Sequence, residues 1–305
     1  MTVLIAGSSG LVGSTIVEEY EKLGIEVKGI NSKDVDLTDR QATFEFMNKT
    51  KPTLIINAAA KVGGILANSD EPVDFLSRNI QIQTNLLDAA FQAEVENFVF
   101  LGSSCIYPRD CQQPIMESYL MGGPLEVTNA PYAIAKISGI NLVQAYRKQF
   151  GKKWICLMPT NLYGPRDNFS FSSSHVIPGM IAKFVHARDA KKESVELWGD
   201  GSPTREFLHV SDLAKAIIFC ADNYNDNQLL NVGTGVETSI KDLSHLIANI
   251  VGFSGEVLWD VNKPNGTPRK VLDVSRINTL GWKAEIDLIE GLEKTIKWYE
   301  MNRNG

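Results

Sequence analysis

Eleven residues decide the fold: Val3-Leu4-Ile5-Ala6-Gly7-Ser8-Ser9-Gly10-Leu11-Val12-Gly13. A short apolar run ends at Gly7, and two more glycines follow before a helical pattern begins. Gly7 permits a tight turn, Gly10 lets the backbone approach a pyrophosphate, and Gly13 lets the helix pack closely against the sheet. The free N–H groups at the start of that helix favour phosphate oxygens. The pattern therefore predicts a dinucleotide-binding βαβ unit.

From residue 2 to about residue 164, short apolar runs alternate with amphipathic helical patterns. This alternation is typical of a parallel sheet covered by helices. Strands are predicted at 3–6, 26–30, 53–58, 98–102 and 154–159. Their few polar interruptions suit a sheet buried on both faces. The predicted fold class is α/β, with a Rossmann-like, doubly wound parallel sheet.

Beyond residue 164 the pattern loosens. Residues 168–174 are rich in Ser, Phe and Asn and predict a loop over a cleft, while helices are predicted at 179–188, 211–223, 240–251 and 288–301. A chain of 305 residues exceeds what one compact core usually absorbs. We therefore predict a cofactor-binding domain at 1–165 and a smaller α/β domain, mainly for substrate, at 166–305. In this prediction, some segments of the second region can pack as part of the first domain.

Charge and composition argue against several classes of function. The net formal charge of −6 and the pI of about 5.4 come without a basic stripe, so nucleic-acid binding is not expected. No apolar run approaches the roughly 20 residues that span a bilayer, and the first residues lack the basic region of a signal peptide. The four cysteines are irregularly spaced, which favours neither a disulfide framework nor a zinc site. We expect a reduced, cytoplasmic protein with no metal ion and no membrane partner.

The residues after the second strand select between NAD and NADP. Asn31, Ser32 and Lys33 offer an amide, a hydroxyl and an ammonium, which suit the 2′-phosphate of NADP. Asp34 would hold the 2′-hydroxyl of NAD if the strand ended later. We favour NADP(H). Asp36 either meets the adenine edge or caps the next helix.

Tyr132 and Lys136 lie one turn apart on a helix that begins near Pro131, with Asn129 available as its cap. A phenol titrates near pH 10, and a nearby ammonium favours the phenolate, which brings the tyrosine closer to useful acid–base chemistry. The same spacing occurs by chance in many helices. However, the pair follows the fourth strand, whose end carries Ser103, and the carboxyl ends of strands line the ligand crevice. We therefore predict a nicotinamide-dependent oxidoreductase.

Together with Asn57-Ala58-Ala59-Ala60, these motifs resemble the extended short-chain dehydrogenase/reductases. Longer segments narrow the likeness to the GDP-L-fucose synthase family, over essentially the whole chain: Ala59-Ala60-Lys61-Val62-Gly63-Gly64-Ile65, Gly102-Ser103-Ser104-Cys105-Ile106-Tyr107-Pro108, Pro159-Thr160-Asn161-Leu162-Tyr163-Gly164-Pro165, Ser174-His175-Val176-Ile177-Pro178, Arg205-Glu206-Phe207-Leu208-His209-Val210 and Gly266-Thr267-Pro268-Arg269-Lys270. That family converts GDP-4-keto-6-deoxy-D-mannose to GDP-L-fucose by inverting C3 and C5 and then reducing the C4 ketone with NADPH. Some members carry an arginine in the glycine loop where this chain has Ser9, which shifts the phosphate contact to Ser32 and Lys33.

The resemblance assigns a role to each residue of the predicted catalytic set. Cys105 is expected to be the base and His175 the acid of the two inversions, on opposite faces of the sugar. A thiol and an imidazole titrate near enough to neutrality for these roles. Ser103 and Tyr132 are expected to stabilise the enolate oxygen. Tyr132 then delivers a proton to the C4 oxygen, and Lys136 supports the tyrosine and the nicotinamide ribose.

The resemblance also implies binding residues for two ligands. NADP(H) is expected to contact Gly7, Ser8, Ser9, Gly10, Leu11, Val12, Gly13, Ser32, Lys33, Asp36, Ala58, Ala59, Tyr132, Lys136, Pro159, Asn161 and Leu162. The GDP-sugar is expected to contact Asn161, His175, Val176, Lys183, Trp198, Arg205 and Lys270. Basic side chains suit the diphosphate oxygens. Trp198 either stacks at the nucleotide or sugar, or packs in the core.

Other functions stay open at this point. An enzyme of the same superfamily can act on another GDP-keto sugar, such as a GDP-heptose, or epimerise without reducing. A non-enzymatic NADP-binding regulator would commonly lack the tyrosine or the lysine, and this chain has both. Related enzymes commonly form homodimers through two long helices. We expect the Tyr132 helix to be one of them, with Ile140, Leu142 and Val143 as apolar contact positions.

Overall fold

The computed structural model describes residues 2–171, 173–263 and 265–303. Through residue 163 the elements run β1 Val3–Ala6, α1 Leu11–Lys22, β2 Val27–Ile30, α2 Arg40–Thr50, β3 Leu54–Asn57, α3 Ile65–Asp70, α4 Pro72–Gln92, β4 Asn97–Leu101, α5 Ala130–Phe150, β5 Lys153–Pro159 and β6 Asn161–Tyr163. They continue with α6 Val176–Asp189, β7 Ser194–Trp198, β8 Thr204–His209, α7 Val210–Asn223, β9 Leu230–Val232, β10 Glu237–Ser239, α8 Ile240–Val251, β11 Glu256–Asp260, β12 Arg269–Lys270, α9 Ser275–Thr279 and α10 Leu288–Asn302. Each predicted strand matches an observed one to within one residue at either end.

Six parallel strands form the large sheet, in the order β2-β1-β3-β4-β5-β9. The chain runs from β1 to β2 on one side and then places β3 on the other side of β1. This reversal creates a topological switch point at the carboxyl ends of β1 and β3, where open α/β sheets bind ligands. The predicted Rossmann-like fold is confirmed.

Burial along the sheet follows the position of each strand. All residues of β1 and β3 are buried, as predicted for strands covered on both faces. β2 differs because it lies at the edge of the sheet: Lys28 and Gly29 are exposed, and only Ile30 is buried. The apolar pattern of the sequence is therefore strictest in the strands that flank the switch point.

Smaller sheets and a second hydrophobic cluster lie beyond residue 163. β8 is flanked by β10 and β12 and also pairs with β6, while β11 pairs with β7. The side chains of α6, α8 and α10 pack together in this cluster, around Phe184, Ile247 and Leu292. The core of the large sheet also takes in Leu213 and Leu272 from later in the chain. The domain boundary near residue 165 stays a prediction.

A buried carboxylate links β8 to segments that pack against the large sheet. Glu206 is fully buried in β8, and its oxygens accept N–H bonds from Thr234 at 2.6 Å, Gly235 at 2.8 Å and Leu272 at 2.8 Å. Burial raises its pKa, against the lowering effect of these donors. Glu206 therefore connects β8 to the turn after β9 and to the segment after β12.

The helices test two predictions, one on membrane association and one on the contact positions for a second copy. None of the described helices is long and apolar enough to cross a membrane. Ile140 and Val143 are fully buried against the large sheet, so their prediction as contact positions for a second copy is wrong. Leu142 is only partly buried, and the exposed apolar side chains of α5 include Ile134 and Phe150.

Replacing Glu206 with alanine should destabilise the protein by about 3–5 kcal/mol, because three buried N–H groups lose their acceptor together. Denaturant unfolding monitored by circular dichroism measures the change. Glu285→Ala is the matched control, since it removes an exposed carboxylate paired with Lys215 and should cost less than about 1 kcal/mol. Equal losses in the two variants would contradict the role given to Glu206.

Candidate active site

A continuous cavity of about 1110 Å³ runs along the carboxyl ends of β1, β3, β4 and β5 and reaches β8 and β12. This volume is larger than a pocket for one drug-sized ligand, and it suits a dinucleotide together with a nucleotide-sugar. All of the predicted site residues border it except Ser8 and Lys33. The fold therefore gathers residues from distant parts of the chain around one space.

Ser8 and Lys33 lie outside this cavity for different reasons. The Ser8 side chain packs towards β2, where a Cβ added to Gly29 would lie 2.7 Å from the Ser8 Cβ. Lys33 is exposed, and its N–H donates to the side chain of Asn31 at 2.8 Å. Neither residue borders the cavity in this structure, and the contact of Lys33 with the 2′-phosphate stays a prediction.

The glycine loop has the shape that a pyrophosphate needs. Gly7 has a φ of +84°, and a Cβ there would lie 2.7 Å from the backbone nitrogen of Ala59. A Cβ on Gly13 would collide with the carbonyl oxygen of Gly7, whereas one on Gly10 would have only that oxygen nearby, at 3.6 Å. α1 begins with neither a side-chain cap nor an acidic residue in its first turn, so its N–H groups stay available to an anion. These residues fit a dinucleotide cofactor.

Asp36 borders the cavity and does not cap a helix. Asp39 caps α2, because its side chain accepts the N–H of Ala42 at 3.0 Å. Asp36 accepts bonds from the hydroxyl of Thr38 at 2.7 Å and from its N–H at 2.9 Å. These bonds lower the pKa of Asp36. The capping alternative for Asp36 is therefore wrong, and its carboxylate faces the part of the cavity bordered by Ser9 and Ser32, which we call the adenosine end.

Arg78 is a residue that the sequence reasoning missed. It lies on α4, borders the cavity and is close enough to Asp36 to lower the pKa of that carboxyl. Its side chain is exposed, while Ser9 and Ser32 carry no charge. An arginine on an amphipathic helix is usually solvated, so nothing in the sequence separates it from other surface arginines. It therefore places a cation at the cavity near Asp36.

The predicted catalytic pair sits at the end of β4. The Lys136 ammonium is buried and donates to the carbonyl oxygen of Leu101 at 2.8 Å. It lies 5.7 Å from the centre of the Tyr132 ring, which is its neighbour one turn earlier on α5. Ser103 follows β4, and its hydroxyl accepts the N–H of Cys105 at 3.4 Å at the start of a short 3₁₀ turn. One strand end and one helix thus bring four of the predicted catalytic residues together.

Burial controls the protonation of the Tyr132–Lys136 pair. It lowers the pKa of Lys136 to about 8 and raises that of Tyr132 far above 10, with Cys105 adding to the rise. The expectation that Lys136 brings the Tyr132 pKa down is therefore wrong for this structure, because removal from water outweighs the ammonium. A neutral phenol is the form that can donate a proton.

The proposed base and acid approach the cavity from different segments. Cys105 is 9% exposed, and burial raises its thiol pKa, while the ammonium of Lys270 is the largest opposing effect. Burial lowers the pKa of Lys270 as well. His175 occupies the N-cap position of α6, and desolvation lowers the pKa of its imidazole, which makes it a stronger acid. The structure brings both residues to the same cavity.

The residues predicted for the GDP-sugar border the opposite part of the cavity. Arg205 on β8 and Lys270 on β12 are register partners, and burial lowers the pKa of both. Lys183 donates to the carbonyl oxygen of Glu196 at 3.1 Å, and Asn161 donates to that of Glu206 at 2.9 Å. Val176, at the start of α6, also borders the cavity.

Trp198, at the end of β7, is 46% exposed. The core alternative for this tryptophan is therefore wrong. The Lys263 ammonium lies 5.5 Å from the centre of a Trp198 ring, and the indole borders the cavity at the GDP-sugar part.

Asn129 does not act as the predicted cap. It occupies the N-cap position of α5, but its side chain caps no N–H, and its buried Oδ1 has no hydrogen-bond partner among the described residues. It borders the cavity beside Cys105 and Glu126. Glu126 also escaped the sequence reasoning, since it stands in a loop without a recognisable motif.

Comparisons with known proteins agree with this geometry. The chain matches the NAD dependent epimerase/dehydratase family over residues 3–233. It is 49% identical over 302 residues to the probable GDP-L-fucose synthase 1 of Oryza sativa subsp. japonica, covering 98% of this chain and 92% of that one. Two solved structures are similar: a GDP-6-OMe-4-keto-L-xylo-heptose reductase from C. jejuni (TM-score 0.93, 32% identity, 98% and 97% covered) and a GDP-L-fucose synthetase from Naegleria fowleri bound to NADP (TM-score 0.92, 28% identity, 99% and 93% covered).

The lowered pKa of Lys136 predicts a pH-dependent stability. The unfolded chain holds this proton up to about pH 10.5 and the folded protein only up to about pH 8, so the free energy of unfolding should rise between these values. The rise attributable to Lys136 is at most about 3 kcal/mol. Urea unfolding of wild type and Lys136→Met at pH 8 and pH 10 measures this rise. The free energy of unfolding of the wild type should increase relative to that of Lys136→Met between the two pH values. A difference that does not change with pH would contradict the buried ammonium.

Arg78→Gln should weaken NADPH binding about tenfold and leave NADH binding nearly unchanged, because the removed guanidinium borders the adenosine end of the cavity, where a 2′-phosphate would need a cation. Quenching of tryptophan fluorescence gives both dissociation constants. Lys33→Gln is the matched control and should change neither constant by more than about twofold, since that ammonium lies outside the cavity. Equal losses for NADPH and NADH in Arg78→Gln would assign the arginine to the adenine and not to the phosphate.

Proposed function

The chain belongs to the NAD dependent epimerase/dehydratase family, and from this premise we propose that it converts GDP-4-keto-6-deoxy-D-mannose to GDP-L-fucose with NADPH. The observation that carries the proposal is the meeting of two sets of residues in one cavity. Tyr132 and Lys136 suit a ketone reduction, whereas Cys105 and His175 suit the inversion of carbons beside that ketone. A reductase alone has no need of the second set.

The inversions begin with a carbon acid. Protons beside a ketone become acidic when the developing enolate oxygen is stabilised, and the hydroxyls of Ser103 and Tyr132 are the donors available for that oxygen. Cys105 removes the proton on one face, and the Lys270 ammonium favours the thiolate that this requires. His175 returns a proton on the other face. Repeating this at the second carbon gives the 3,5-inverted ketone.

Reduction follows at C4. When bound, NADPH supplies the hydride. Tyr132 is held as a neutral phenol by burial and donates its proton to the C4 oxygen as negative charge develops there. Lys136 keeps the tyrosine oriented through its bond to the Leu101 carbonyl, and its charge offsets the phenolate that remains.

The GDP moiety is bound by cations whose pKa values burial lowers, with Glu126 as a nearby carboxylate. Arg205 and Lys270 come from adjacent strands and suit the diphosphate oxygens, and Lys183 extends this set from α6. The half-exposed ring of Trp198 offers a stacking face for the guanine or the sugar. This charge distribution explains how an acidic protein can bind a dianionic ligand.

We also propose a homodimer that works in the cytoplasm. Ile134 and Phe150 leave apolar surface on α5 that a second copy can cover. All four cysteines are unpaired, as is usual in a reducing compartment.

A second candidate is the reduction of another GDP-keto sugar, such as a GDP-keto-heptose. The likeness to the C. jejuni heptose reductase, at a TM-score of 0.93, favours it. The two candidates share the Tyr132–Lys136 pair but differ in their need for Cys105 and His175. Incubation with GDP-4-keto-6-deoxy-D-mannose and NADPH separates them. We expect loss of the reduced-nicotinamide absorbance and an NMR spectrum of GDP-L-fucose, while GDP-sugars of uninverted configuration would sink the proposal.

Cys105→Ser should slow formation of GDP-L-fucose by about a hundredfold or more, because a serine hydroxyl ionises far less readily than a thiol and so rarely supplies the anion that removes the proton. Reduction of a ketone that already has the inverted configuration should fall much less. Tyr132→Phe should instead lose the reduction of that inverted ketone as well, with NADPH binding nearly unchanged. Equal loss of both reactions in Cys105→Ser would refute its assignment as the base.

A further inference from the structure

Two successive inversions at one site create a proton imbalance. After the first, Cys105 holds the proton taken from carbon, and His175 has lost the one it gave. The second inversion needs a thiolate and a protonated imidazole again. The two groups act on opposite faces of the sugar, which stands between them, so the proton has to leave the thiol by another route.

A second, small cavity of about 40 Å³ offers such a route. It adjoins the large cavity, and six residues border both: Ser104, Cys105, Glu126, Asn129, Thr267 and Lys270. Its volume exceeds the roughly 10–15 Å³ that a water molecule needs, and its polar walls supply partners for water. Arg109 forms part of its wall and has a side chain 47% exposed, so the cavity reaches towards solvent.

Glu126 contributes a carboxylate to the wall of this small cavity. Its Oε1 is 3.4 Å from the N–H and the hydroxyl of Thr128, and its Oε2 is 3.4 Å from the Arg109 guanidinium and the Thr267 hydroxyl. These contacts are long, so the carboxylate keeps capacity to accept a further hydrogen bond.

Among the described residues, Glu126 is the only carboxylate that borders this cavity. The guanidinium groups of Arg109 and Arg269 have no acceptor, and the Tyr107 hydroxyl already donates to Asn231 at 2.6 Å. Asn129 presents an amide, which can hold water in place but does not titrate.

We propose that Glu126 relays the proton of Cys105 to solvent through water in this small cavity, which resets the thiolate between the two inversions; this inference rests on the proposed function. The S–H bond breaks, its electron pair stays on sulfur, and the proton passes through water to the Glu126 carboxylate and then to bulk solvent. His175 regains a proton from water in the large cavity. In this relay Glu126 acts through Cys105, although it also borders the large cavity.

Glu126→Gln tests the relay in D2O, with excess enzyme, NADP⁺ in place of NADPH, and GDP-4-keto-6-deoxy-D-mannose. Each inversion installs one solvent deuterium, so NMR at C3 and C5 follows the two steps separately. We expect the first deuterium to appear at a rate close to that of wild type and the second to slow by roughly tenfold or more. The sugar inverted at one carbon should accumulate.

Two controls separate a relay from a structural role. Glu237→Gln removes a carboxylate bonded to Arg269 at 2.8 Å that borders neither cavity, and it should leave the ratio of the two rates unchanged. Formate or acetate should restore the second step in Glu126→Gln, because a small carboxylate can carry the same proton.

Glu126→Asp, which keeps the carboxylate, should slow the second step less than Glu126→Gln does. This variant replaces the glutamine variant in the experiment if the latter does not fold.

The outcomes are distinct. Equal slowing of both deuterium incorporations, an unchanged ratio of rates, or a second step that carboxylates do not restore would each overturn the relay. Absence of any exchange at C3 and C5 in the wild-type protein would instead refute the proposed function.

Discussion

The site depends on the hydrogen bond from the buried Lys136 ammonium to the carbonyl oxygen of Leu101. This bond fixes α5 against the end of β4, so that Tyr132 and Ser103 face the same space. Its position follows from the topology, because the carboxyl ends of parallel strands meet at one edge of the sheet and the chain reverses direction beside β1. An ammonium at this depth has few polar neighbours, which is why its pKa falls to about 8.

Burial lowers the pKa of other cations in the cavity as well. Lys136, Arg205 and Lys270 are desolvated cations whose pKa values burial lowers, and each is placed where a phosphate, an enolate or a thiolate would compensate it. Anionic groups brought by the ligands therefore gain more from these cations than they would at an exposed surface. In the proposed reaction, negative charge developing on Cys105 or on the sugar oxygen would therefore find a cation already in place.

Much of this could be predicted from the sequence where a local pattern has one physical meaning. The glycine spacing and apolar runs predicted the sheet, and the Tyr132–Lys136 spacing predicted a pair on one helical face. Predictions failed where the result depends on tertiary surroundings. The direction of the Tyr132 pKa follows from burial, and the burial of Ile140 follows from packing on the sheet. Arg78 and Glu126 have no sequence signal, and the pattern around Asn129 indicated only a helix cap, because only the fold brings these residues to the cavity.

The central claim is that one cavity performs two inversions and then one reduction. The most direct test is the isotope content of the product made from GDP-4-keto-6-deoxy-D-mannose and NADPH in D2O, read by mass spectrometry and NMR. The account predicts GDP-L-fucose with solvent deuterium at both C3 and C5, and hydrogen from NADPH at C4. A reduced sugar without solvent deuterium at either carbon would contradict it.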